Sequence, residues 1–215
     1  MKIIVGLGNF GSKYEFTRHN LGFMTLERFL KDFVPLKKTN WQEYKQFKSD
    51  IVDFLWHPST QEEEKILLVK PKTYMNNSGL AISILRQFYK VNASDIWVVH
   101  DEIDLPLGNM KIRLGGSSAG HKGITSIIEQ LGTDGFWRFR LGIGQTQRFS
   151  KNINFEDVKE KPLGKKKLRN VEEFVISPFD HSEAGKVREL IKRASKSLKT
   201  ALDEGLEKSM NKFNS

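Results

Sequence analysis

The chain has 215 residues, 38% of them hydrophobic and 28% charged, with both signs present. That content suits one domain with a real core and excludes wholesale disorder; there is no apolar run long enough to span a bilayer. The lack of cysteine excludes disulfides, thiol catalysis and cysteine-ligated zinc, and the net charge of +9 favours an anionic partner (nucleic acid, an acidic membrane surface or phosphorylated metabolites) unless it is only a basic surface.

The start, MKIIVGLGN, holds a short apolar run ended by glycines, which reads as a buried strand. Its apolar stretch is far too short for a signal peptide, so a cytosolic location is expected, or an organellar one after loss of a segment absent here. GNFGSKYEFTRHN reads as a loop. LGFMTLERFLKDF has apolar residues at helical spacing, with Asn20 as a candidate N-cap. Trp41 to Lys48 shows a mixed pattern. KSDIVDFLW and EEKILLVKP read as strands separated by the polar loop HPSTQEE.

KTYMNNSGLAISILRQFYKV begins as a turn and becomes an amphipathic helix ending near Val91. DIWVVHDEIDLP reads as a strand running into an acidic turn, and NMKIRLGG as another strand. SSAGHKG reads as a glycine-rich loop, ITSIIEQLG as a helix stopped by Gly132, and FWRFRLGIG as one more strand. A polar, basic loop is expected around residues 145–170, and one Lys/Glu-rich helix from Ser182 to about Lys208. Alternating strands and helices predict a single α/β domain over residues 1–215, with a mixed, mostly parallel sheet flanked by helices.

Gly6, Gly8 and Gly11 match G-x-G-x-x-G after a strand, the dinucleotide fingerprint. Six residues, Tyr14 to His19, nevertheless intervene before the first convincing helix, and no acidic residue ends a second strand where ribose recognition needs one. A tight turn presenting Asn9 is the better reading.

Polar residues cluster at strand ends, where open α/β sheets place ligands. Asn9, Tyr14, Arg18 and His19 follow the first strand, and Tyr74, Asn76 and Asn77 follow the strand ending near Lys70. His100, Asp101, Glu102 and Asp104 follow WVV; His121 and Lys122 follow KIRLGG. Such a group suits base-assisted hydrolysis: an imidazole takes a proton from water, a carboxylate fixes its tautomer, and Asn side chains donate to a carbonyl oxygen. No nucleophilic Ser or Cys is evident, so water would attack directly. Ligand spacing for a metal is lacking. Taken singly, each residue has a plainer role: His19, Asn76 and Asn77 as caps, Asp101 and Asp104 as turn formers.

The strings VGLGNFGSKYEFTRHNLGF, KPKTYMNNSG, HDEIDLPLG, KIRLGGSSAGHKG and RFRLGIG, with EEFVISPF and EGLEKSMNKFN near the end, resemble in order the blocks of bacterial peptidyl-tRNA hydrolases. The resemblance spans nearly the whole chain. It implies one α/β domain, without metal or cofactor, that cleaves the ester between a peptide and the 3′ ribose of tRNA; a monomer is the expected working form. It places the catalytic base on His19, the acid that keeps it basic on Asp101, and the Asn that separates blocked from free aminoacyl groups on Asn9. Tyr14, Tyr74 and Asn76 fall on tRNA or peptide contacts, and His121 on the glycine-loop His. Lys111, Arg113 and Arg140 fall on a clamp for the tRNA 5′ phosphate, which would account for the basic charge.

The family's GNPG is GNFG here, with Phe10 for Pro, and its GHNG is GHKG, with Lys122 for an Asn expected at the substrate's 3′ end. Lys donates but cannot accept, so altered 3′-end binding with activity retained is expected. A non-hydrolytic RNA-binding member of the same family is the alternative.

Overall fold

In the computed structural model, residues 1–35, 40–58, 62–144 and 171–214 are described. The strands are β1 (Lys2–Gly6), β2 (Gln42–Tyr44), β3 (Ser49–Trp56), β4 (Glu64–Pro71), β5 (Ile96–Pro106), β6 (Met110–Leu114) and β7 (Trp137–Gly144). They form one mixed sheet in the order β2-β3-β4-β1-β5-β7-β6. β1 pairs parallel with β4 and β5, and β5 parallel with β7; β2–β3, β3–β4 and β6–β7 are antiparallel.

The two-residue period of the central strands feeds two cores. Ile4, Leu68, Trp97, Val99 and Leu141 pack with α1 (Leu21–Phe33), α5 (Ala184–Glu204) and α6 (Leu206–Phe213). Ile3, Val5, Val69, Ile96 and Val98 pack with α2 (Ser78–Tyr89) and α3 (Lys122–Leu131). In α1, Leu21, Leu26, Phe29 and Leu30 lie on the buried stripe; burying such a side chain stabilises by about 1.5–3 kcal/mol. α3 ends at Gly132, whose φ of 67° permits the left-handed cap.

Gly6 and Gly8 of the glycine motif have a packing cause. A Cβ on Gly6 or on Gly22 would overlap backbone where α1 crosses β1 and β5, and one on Gly8 would strike the Phe23 ring. α1 starts only at Leu21, ten residues after Gly11, so its N-terminus is not built into the motif as phosphate binding requires.

Several elements differ from expectation. Asn20 stands at the N-cap of α1, but its side chain makes no cap bond and instead holds Asn9. β5 continues through the acidic residues to Pro106, because its edge pairs with β7 as far as Gly144. The mixed Trp41–Lys48 pattern resolves into the three-residue β2 and a short 3-10 turn, Lys45–Phe47. The C-terminal helix is two helices, broken at Gly205 with φ 94°. A short helix, α4 (Val171–Val175), precedes them. The basic segment 145–170 lies outside the described residues.

Candidate active site

β1, β4 and β5 run parallel side by side, so the segments leaving their carboxyl ends converge. Asn9 follows β1 and is clasped reciprocally: its N–H donates to Asn20 Oδ1 at 2.8 Å, and Asn20 Nδ2 donates to Asn9 O at 3.0 Å. Asn9 Oδ1 accepts the N–H of Met75, which follows β4, at 2.9 Å. That bond sets the amide's orientation and leaves Nδ2 as its donor end.

His19 sits in a 3-10 turn, Arg18–Asn20, immediately before α1. Its Nδ1 lies 2.8 Å from Asp101 Oδ1 and 3.0 Å from Oδ2. On the other side, His121 Nε2 lies 3.1 Å from the same Oδ1. His121 caps α3: its Nδ1 accepts the N–H groups of Gly123 and Ile124 at 3.1 and 3.3 Å. A nitrogen that accepts carries no proton, so His121 holds its proton on Nε2 and donates it to Asp101. His19 likewise donates from Nδ1, which leaves its Nε2 with a free lone pair. Burial by itself pushes the Asp101 carboxyl up, but the His19 and His121 rings outweigh it and hold the group well below the usual carboxylate range.

A third imidazole completes the group. His100 is buried, packs edge-on against His121 at 4.8 Å between centroids, and donates from Nδ1 to the Asp101 backbone oxygen at 2.7 Å. Burial, then the neighbouring His121, push it well below the ordinary histidine range, and Asp101 opposes them. His100 is therefore neutral at pH 7, with a buried Nε2 that has no partner.

His19, Asp101 and His121 bring ligand-type atoms within 4.8 Å of one another, the only such group among the described residues. As arranged they suit a metal poorly: His121 Nε2 is the protonated nitrogen, and ligation there would break the helix cap.

At the rim, Tyr74 has φ 55°, a conformation non-glycine residues seldom adopt; its ring is half-exposed and lies 4.2 Å from that of Phe10. Asn76 is exposed in the Met75–Asn77 turn, and Tyr14 lies in the Ser12–Tyr14 turn with Lys13 over its ring. Lys122 begins α3 and pairs with Glu172 of α4 at 2.7 Å, in the open.

Cross-strand register sets Lys111 opposite Arg140 and Arg113 opposite Arg138, so four cations share one face of the β6–β7 edge. Lys111 and Arg113 are exposed. Arg140 is paired with Glu102 at 3.0 Å. Arg138 is buried, donating to Ser117 O at 2.7 Å and to Gly116 O, which ties the glycine loop to the sheet. Burial first, then Arg113, lower its guanidinium to about 10.

Residues 3–215 match the family model for peptidyl-tRNA hydrolase. This chain belongs to the peptidyl-tRNA hydrolase family. Among its relatives, the peptidyl-tRNA hydrolase of Mesoplasma florum is 44% identical over 162 residues, covering 75% of this chain and 82% of the relative. That of Dehalococcoides mccartyi is 38% identical over 215 residues and covers all of both chains. The crystal structure of the Acinetobacter baumannii peptidyl-tRNA hydrolase superposes with a TM-score of 0.78 at 26% identity, covering 100% of this chain and 95% of that one. The chain is accordingly an enzyme that hydrolyses peptidyl-tRNA, and the non-hydrolytic reading is not favoured. No described helix is long and apolar enough to cross a membrane.

Arg18, His100 and Arg138 join the candidate site only through burial and tertiary contacts. Their strings, TRHN, HDEID and RFRLGIG, lay within the quoted blocks, but nothing in residue type or spacing separates a buried Arg from a surface one.

Proposed function

We propose that His19 is the general base of the hydrolysis and Asp101 its orienting acid, and that Asn9 selects the substrate. The 2.8 Å contact between His19 Nδ1 and Asp101 Oδ1 carries this reading, because it commits the Nδ1 proton and turns the Nε2 lone pair to the substrate. A water gives its proton to His19 Nε2 while its oxygen attacks the ester carbonyl carbon. The carbonyl oxygen becomes an oxyanion, and Asp101 stabilises the imidazolium. Collapse breaks the carbon–oxygen bond to the 3′ ribose, and His19 returns the proton to that ribose oxygen. Peptide acid and free tRNA leave.

His121 holds Asp101 from its far side, so the carboxylate receives two N–H bonds and is fixed in place. Asn9 Nδ2 is a donor: it meets the carbonyl of an N-acylated residue favourably and repels the ammonium of a free aminoacyl group. Tyr14, Tyr74, Asn76, His121 and Lys122 line the approach of the tRNA 3′ end and peptide. Lys111, Arg113 and Arg140 hold the 5′ phosphate, with the acceptor stem lying along the β6–β7 edge. The enzyme works as a monomer in the cytosol, where its substrate is made. Turnover of N-blocked aminoacyl-tRNA against free aminoacyl-tRNA, with Asn9→Ala beside wild type, tests the selection step: the variant should lose most of the preference, and an unchanged ratio would remove Asn9 from that role.

A further inference from the structure

Arg18 lies 97% buried by residue surface beside His19, yet its guanidinium makes no hydrogen bond to Asp101. It reaches instead into residues 171–183, the stretch made of α4 and the turn that leads into α5. Nη1 donates to Ser177 Oγ at 2.8 Å and to the backbone oxygens of Pro178 at 2.5 Å and Ser177 at 3.3 Å. Nη2 donates to Glu183 Oε2 at 2.6 Å. The guanidinium carbon lies 4.4 Å from the Phe174 ring centroid and 4.9 Å from that of Phe179. The backbones also join: Arg18 N–H donates to Ser177 O at 3.1 Å, and Thr17 bridges to Pro178. At the other end of the same stretch, Glu172 pairs with Lys122, the residue after His121. Residues 171–183 are thus fastened beside both histidines that bind Asp101.

We infer that Arg18 is a positioning residue for the hydrolysis: by locking the Thr17–Asn20 turn onto residues 171–183 it fixes the His19 ring against Asp101. A planar five-donor group gripped between two aromatic faces, a carboxylate and carbonyls leaves the turn little freedom. A Lys keeps the charge but not the planar fork, so the turn is released by a fraction of an ångström to an ångström, a displacement that costs rate without removing any reacting group. The inference rests on His19 being the base.

Its test is Arg18→Lys, with turnover of N-blocked aminoacyl-tRNA measured beside the proton NMR resonance of the His19 Nδ1–H held by Asp101. The expected result is a kcat lower by about 10- to 100-fold with KM within about twofold, and an Nδ1–H resonance that shifts and exchanges faster with solvent. Glu183→Gln keeps shape and an acceptor oxygen, and should move both readouts the same way by less; it carries the test if Arg18→Lys fails to fold. Wild-type kcat in folded Arg18→Lys, or a loss of turnover with the resonance and its exchange unchanged, overturns the inference and leaves Arg18 a scaffold residue. His19→Gln is the control: if it retains turnover, the base assignment itself fails, whatever the resonance in Arg18→Lys shows.

Discussion

Asp101→Asn is expected to do more than remove a charge. His121 cannot change tautomer without giving up its cap on Gly123 and Ile124, so its Nε2–H still demands an acceptor at the Oδ1 position. The new amide must therefore put its oxygen there and its NH2 where Oδ2 was, 3.0 Å from His19 Nδ1. A donor then faces Nδ1–H from the Oδ2 side, while the oxygen 2.8 Å away on the other side is shared with His121. Moving the His19 proton to Nε2, the nitrogen proposed as the base, relieves that donor–donor contact. Loss of a hydrogen bond to a charged partner costs about 1.5–3 kcal/mol, and the inverted tautomer adds roughly 1–3 kcal/mol. At 1.36 kcal/mol per decade the two together lower kcat by about 10²- to 10⁴-fold. Steady-state turnover of N-blocked aminoacyl-tRNA measures this, with circular dichroism to check the fold. A loss under about tenfold in a folded variant would refute the tautomer argument.

Replacing Lys111, Arg113 and Arg140 by Ala should weaken binding of 5′-phosphorylated tRNA and lower its salt slope by about one per lost phosphate contact; equal losses on tRNA without the phosphate would make these residues general surface charge. Lys122→Asn should raise KM, and Glu172→Gln, which frees Lys122 from an exposed pair, should lower it; KM unmoved in both variants would remove Lys122 from substrate binding. His100 is held neutral in the fold, so below its unfolded value near 6.5 the unfolded chain binds a proton that the native one does not, and stability falls as pH falls by up to about 1.4 kcal/mol per unit. His100→Asn should therefore flatten the drop in Tm between pH 7 and 5, and an undiminished drop would show that His100 is not its source.

The central sheet and the residues of the candidate site were legible because local pattern and block order carry them. The short apolar run ended by glycine became β1, the run KILLV became β4, and the end of α3 fell at Gly132 as the cap requires. The C-terminal break was not legible, since the Lys/Glu-rich periodicity of EGLEKSMNKF continues across Gly205 and one glycine inside a helical pattern is only a weak stop. Asn20 carried an ordinary N-cap signal, yet it holds Asn9, eleven residues earlier in the chain. The roles of His121 as cap and donor, of His100 as a neutral neighbour, and of Arg18 as a buried clamp arise from contacts between residues as many as 165 positions apart, which no local spacing encodes.

The proposed hydrolysis turns on His19 as its base. Turnover of N-blocked aminoacyl-tRNA by His19→Ala, measured with its affinity for tRNA, tests it most directly. Turnover should fall to background with tRNA affinity nearly that of wild type. A variant that binds tRNA normally and keeps more than roughly a hundredth of the wild-type rate, the low end of what a general base supplies, would contradict it.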